Sequence, residues 1–206
     1  MRRLSLAAAL LLLLQLAPGT AAYAATFCNP LDVSYRFSMD KPSHREAADP
    51  TMVVHNGTFW LFASKSGGYW HSKDMASWEL VTPSGLPLET YAPMVVVIDE
   101  RWYYTAFDAK AMYTTDDPYA GTWTTVTTEM KGYPDPGMLV DDDGRAYMYS
   151  GCSGNGDIKA VELNTSTWQE VGAPVTAVAP DFAHRGFEVG GDNNEQLSHA
   201  PFVEGA

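Results

Sequence analysis

The chain has 206 residues and a formal net charge of −12, from 25 acidic against 13 basic side chains. Phosphate binding needs clustered Lys and Arg, and no basic run follows the first residues, so no nucleic-acid partner is expected. Aromatic residues make up 12%, a share that suits sugar-stacking surfaces as well as ordinary strand packing.

Arg2 and Arg3 precede an apolar run over residues 4–16, which is too short to span a bilayer comfortably. Pro18 and Gly19 break that run, and Ala22-Tyr23-Ala24 places small residues at a cleavage spacing. We expect residues 1–24 to be a signal peptide and the mature chain, 25–206, to be secreted (periplasmic in a bacterial host). No later stretch is long and apolar enough for a membrane helix, so no membrane partner is expected after cleavage. Secretion permits a Cys28–Cys152 disulfide; two buried thiols are the alternative.

After an irregular lead-in over residues 25–48, one unit recurs three times. Asp49-Pro50 opens a β-rich run over 51–62, turned at Asn56-Gly57. Ala92-Pro93 opens a second run, and Asp135-Pro136 a third, turned at Asp143-Gly144. Pro50, Pro93 and Pro136 stand 43 residues apart, and Trp78, Trp123 and Trp168 stand 45 apart. Third and fourth strands are expected at 69–72 and 78–81, at 111–114 and 123–126, and at 157–163 and 168–171. Repeats of about 40–45 residues with four short strands each mark propeller blades. The reading is therefore all-β, of five-bladed propeller type, with repeats at about 49–90, 91–132 and 133–180. A fourth repeat begins near residue 199, and the chain ends inside it. Three blades and a strand cannot close a ring, so we expect the sequence to be a fragment of a longer protein.

Cutting a glycosidic bond requires two flanking carboxyl groups, one to protonate the leaving oxygen and one to activate water or attack the sugar. Asp49 and Asp135 occupy the same phase of repeats one and three, and Glu204 lies in the opening strand of the fourth. The innermost strands of a propeller converge on its axis, so the three acids should share one central pocket. Crowded like charges raise the pKa of at least one of them, as a general acid needs. Asp141-Asp142-Asp143-Gly144 lacks the downstream Glu of a calcium loop and is read as a hairpin turn. The five His residues show no metal-ligand spacing, so no metal site is assigned. Asn56-Gly57-Thr58 and Asn164-Thr165-Ser166 match the glycosylation sequon.

Arg45-Glu46-Ala47-Ala48-Asp49-Pro50, Tyr133-Pro134-Asp135-Pro136 with the Asp141–Arg145 turn, and Val203-Glu204-Gly205-Ala206 together resemble glycoside hydrolase family 43. The resemblance covers the whole mature chain. It implies a five-bladed propeller that hydrolyses xylose- or arabinose-containing plant polysaccharides or oligosaccharides with inversion. It implies Asp49 as general base, Asp135 as the auxiliary acid that orients the general acid, and Glu204 as that acid. Arg45 and Glu46 are candidates to hydrogen-bond sugar hydroxyls, and Tyr69, Trp70, Tyr91 and Phe187 to stack on a sugar ring. No cofactor is required for the chemistry; the resemblance leaves room for a structural ion near the axis. The alternatives are a carbohydrate-binding propeller without catalysis and an inactive fragment. A retaining enzyme of the invertase type fits less well, because Ala48 and Pro134 precede the two aspartates.

Overall fold

A computed structural model describes residues 47–87, 90–154, 156–181 and 202–205. All of them belong to one of the chain's two units, Leu31–Ala206. The expected signal peptide, Cys28 with its proposed bridge, Arg45, Glu46 and Phe187 lie outside the described residues.

Three antiparallel four-stranded sheets follow one another along the chain. The first contains β1 (Thr51–His55), β2 (Thr58–Phe62), β3 (Tyr69–Ser72) and β4 (Glu79–Val81). The second contains β5 (Met94–Ile98), β6 (Arg101–Thr105), β7 (Met112–Thr115) and β8 (Thr124–Thr127). In the third, β9 (Gly137–Val140) and β10 (Ala146–Ser150) are separated from β12 (Ile158–Leu163) and β13 (Glu170–Val178) by β11 (Cys152–Gly154). β11 leaves that sheet and pairs with β14 (Phe202–Glu204), setting Cys152 opposite Glu204. Within each four-stranded sheet, neighbours in sequence are neighbours in space, apart from this departure.

The turns follow from local chemistry. Asn56 and Gly57 take φ of 48° and 67° between the paired His55 and Thr58, the twist a two-residue hairpin needs. Asp99 and Glu100 do the same at 50° and 65° without a glycine. The Asp143-Gly144 connection is longer than the expected two residues. The Asp141 N–H donates to the Arg145 carbonyl (2.8 Å), and the strands resume pairing at Val140 and Ala146.

Strand alternation gives each sheet two faces, and adjacent sheets pack face to face in two apolar layers. Between the first two sheets pack Trp60, Phe62, Tyr69, Val95, Trp102, Tyr104 and Trp123. Between the second and third pack Met94, Met112, Met130, Met148, Leu163 and Trp168. On β6, Trp102 and Tyr104 face the first sheet while Tyr103 lies against Trp168 of the third. Trp123 and Trp168, two of the three periodic tryptophans, are almost fully buried. Trp78 remains half-buried, because no sheet precedes its own among the described residues.

The first strands lie innermost. β1 contacts β5, and β5 contacts β9. The Thr51 hydroxyl donates to the Pro93 carbonyl across the first gap (2.6 Å). Backbone bonds repeat with the sheets. Ser64, Phe107 and Gly151 N–H donate to the carbonyls of Ala48, Tyr91 and Pro134 within their own repeats. Lys65 and Asp108 N–H donate onward to the carbonyls of Thr90 and Tyr133, just ahead of the next inner strand. These bonds fix where each strand-opening X-Pro pair sits.

Tyr69 corrects one expectation. It is 1% exposed between the first two sheets, so it offers no face to a sugar. Its hydroxyl donates to the Pro118 carbonyl (2.6 Å) and accepts from Trp123 Nε1 (3.1 Å). Burial pushes its pKa up to about 12. The fold thus favours the neutral phenol: this contribution is whole below the ordinary tyrosine value and is lost as pH rises through about 12. Tyr69→Phe, which strands the Pro118 carbonyl and the Trp123 N–H, is expected to cost about 1–3 kcal/mol near neutral pH. The deficit should narrow toward pH 12, which urea melts at both ends of the range would measure. Trp70 is also 1% exposed and cannot stack on a sugar as expected.

Candidate functional site

Asp49, Ala92 and Asp135 occupy the same structural position in the three sheets, each immediately before the proline that opens the inner strand. All three take left-handed backbone, at φ of 48°, 42° and 45°. A residue before proline ordinarily prefers extended geometry, and a non-glycine residue at positive φ is uncommon. Asp tolerates this region better than most residues, since its short side chain can hydrogen-bond locally. The strain is held by the repeating backbone bonds described above, and strain of this kind gathers at functional sites.

The geometry brings Asp49 and Asp135 to one cavity of about 230 Å³, lined also by Pro50, Thr51, Ala92, Pro93, Pro136 and Gly205. The second sheet contributes Ala92 in the same ring, a methyl group where its neighbours have carboxylates. Gly205 directly follows Glu204, whose backbone pairs opposite Cys152. The Glu204 side chain lies outside the described residues. A second cavity of about 270 Å³ adjoins at Asp135 and is lined by Tyr91, Phe107 and Cys152. Of the three aromatic candidates among the described residues, Tyr91 is the one placed beside Asp135. The Lys65 ammonium sits 5.1 Å from its ring centroid.

Ser64 was not apparent from sequence. It is fully buried, and its hydroxyl donates to Asp49 Oδ2 (3.1 Å) and accepts the Ala92 N–H (2.9 Å). One hydroxyl thus ties the carboxylate of the first repeat to the backbone of the second. The signal that could have found it is repeat phase: Ser64, Phe107 and Gly151 make the same backbone bond. Phe107 and Cys152, both on the second cavity, follow from the same phase. Ser64→Ala leaves the buried Ala92 N–H without this acceptor, at an expected cost of about 1–3 kcal/mol in urea unfolding.

Two carboxylates in one cavity, beside an aromatic-lined cavity, can bind a polyol and move protons at a reacting bond. Among the described residues no cluster of His, Cys, Asp and Glu is arranged to hold a metal ion.

The profile of Glycosyl hydrolases family 43 matches residues 40–196. No curated protein matches the chain. Among solved structures, an α-L-arabinofuranosidase from Clostridium thermocellum is 23% identical, with a TM-score of 0.54 over 67% of this chain and 58% of that one. An endo-arabinase from Bacteroides thetaiotaomicron is 20% identical, with a TM-score of 0.55 over 73% of this chain and 61% of that one. The family 43 protein BlXynB from Bacillus licheniformis, a K247S mutant, is 20% identical, with a TM-score of 0.51 over 63% and 31%. The chain spans less than two thirds of each of these proteins. These likenesses agree with the three stacked sheets as propeller blades. By the match over most of its length, the chain belongs to glycoside hydrolase family 43.

Proposed function

We propose that the chain is part of a secreted glycoside hydrolase that cleaves xylose- or arabinose-containing plant glycans with inversion at the anomeric carbon. The observation that carries this reading is the convergence of Asp49 and Asp135, from the first and third sheets, on one cavity. Family membership supplies the reaction class. The basic start and the apolar run over residues 4–16 support export.

In this mechanism Asp49 takes a proton from water as the water oxygen bonds to C1 from one face of the sugar. The C1–O bond to the leaving group breaks on the other face, and Glu204 gives its proton to the departing oxygen. Asp135 orients Glu204 and keeps it protonated until transfer, because two neighbouring carboxylates resist ionising together. Proton exchange with solvent then restores both groups. Base and acid must stand roughly 6.5–9.5 Å apart to leave room for the water. Tyr91 packs against the sugar from the adjoining cavity; Arg45 and Glu46, candidates to hydrogen-bond sugar hydroxyls, and Phe187, a candidate to stack, lie outside the described residues.

Proton NMR of the first-formed product tests the stereochemistry. Inversion is expected, and a product that keeps the substrate's anomeric configuration would overturn the mechanism. Ser64→Ala tests the orientation of the base: kcat is expected to fall roughly 10- to 100-fold while KM changes little, because a misaimed base loses rate rather than binding.

A further inference from the structure

A separate cleft lies at the far end of β1 from Asp49. The turns at Asn56 and Glu100 and the β7–β8 connection at Asp116–Tyr119 close around a space of about 380 Å³. His55, which lines it, stands five residues along the strand from Pro50, roughly 16 Å at about 3.3 Å per residue, so the cleft is no part of the acid cavity.

One wall is aromatic and fixed. Trp60 and Trp102 are each 1% exposed and meet edge-on at 5.2 Å. Trp60 also holds Tyr119 at 4.5 Å, and His71 lies 4.8 Å from that ring. Tyr119 itself is 50% exposed. Its hydroxyl bonds Thr58 Oγ1 (2.9 Å), which also accepts from the Lys73 ammonium. Tyr119 is therefore an open aromatic plane pinned by its neighbours at the ring and at the hydroxyl, so little side-chain freedom is lost when a ligand covers it.

The other wall is polar and of mixed charge. Glu100 pairs with His55 (3.2 Å) and accepts from Asn56 (3.4 Å), and Arg101 holds Asp116 (2.8 Å). Three carboxylates, Glu100, Asp116 and Asp117, line this cleft with Lys73, His55 and Asn56, which disfavours an anionic ligand and suits a neutral one carrying both donors and acceptors. Glu100 and Asp116 also line the next cleft along the same end of the sheets, about 540 Å³ and bounded by Thr165 and Ser166. The two clefts thus flank the same pair of residues side by side, an arrangement that suits an extended chain crossing both rather than a single small molecule.

We infer that this cleft is a second glycan-binding site that holds a neutral polysaccharide strand against Tyr119, away from the hydrolytic centre. The inference rests on the hydrolase reading only for the identity of the ligand. A sugar ring presents apolar C–H groups on one face and hydroxyls at its edge, which matches an aromatic floor with a polar rim.

The test is retardation of the full chain by arabinan or xylan cast in a native gel, in an Asp49→Asn background. Adding Tyr119→Ala is expected to weaken retention about tenfold, the loss of one good aromatic contact. Tyr119→Phe, which keeps the ring, should be retained as strongly as the background. Equal retention of the alanine variant overturns the site. Lys73→Met, at an exposed residue, covers the case in which Tyr119→Ala fails to fold; it too should weaken retention, and unchanged retention overturns the site likewise. Hydrolysis is scored separately on the complete protein with Asp49 intact. No turnover of arabinan or xylan there sinks the hydrolase reading and leaves the cleft standing, whereas unweakened retention by Tyr119→Ala sinks the cleft alone.

Discussion

Asp49→Asn in the complete protein is expected to lower kcat by roughly 10²–10⁴-fold with folding intact. The amide keeps the size of the carboxylate and can still accept from Ser64, so the Ser64–Ala92 link survives the change. What is lost is the ability to take a proton from water. KM should move far less than kcat, because proton abstraction matters in the transition state rather than in substrate binding. Superimposable thermal melts of the two proteins would show that the fold is untouched. Near-normal turnover by the variant would remove Asp49 from the chemistry.

Trp102→Ala is expected to have the largest effect on stability, about 3–5 kcal/mol in urea unfolding. Trp102 is 1% exposed and packs against Trp60 at 5.2 Å and His55 at 5.4 Å, in the layer that joins the first two sheets. Small domains hold only about 5–15 kcal/mol in total, so the loss should leave a chain that is marginally folded at 37 °C. Val175→Ala is the contrasting control. Val175 is 63% exposed on the outermost strand of the third sheet and should cost under about 0.5 kcal/mol. Comparable losses at the two positions would mean that the inter-sheet layer is not the core.

The inner strands were legible because Pro50, Pro93 and Pro136 keep strict phase, and phase alone brought Asp49 and Asp135 together. The Asn56-Gly57 hairpin was legible because glycine marks a left-handed turn. Its counterpart at Asp99 and Glu100 carries no such mark, since tight strand pairing imposes the positive φ on ordinary residues. β13 is longer than the expected 168–171 because a bulge carries the strand past Pro174. The pairing jumps from Glu162–Val171 to Ala160–Val175, and this outermost strand can spare the missing N–H. Tyr69 and Trp70 were misjudged for a different reason. Alternation shows that residues point to opposite faces but not whether both faces meet a neighbour, and β3 is buried on each. Ser64 escaped notice because its structural equivalents, Phe107 and Gly151, share its backbone bond and none of its chemistry.

The most direct test of a single shared site is a turnover cycle of Asp49→Asn, Asp135→Asn and the double variant on one arabinose- or xylose-containing substrate. Residues that act as a unit are non-additive, so the double variant should be about as slow as the slower single one. Losses that simply multiply would mean that the two aspartates act independently, and the account of a common catalytic cavity would be contradicted.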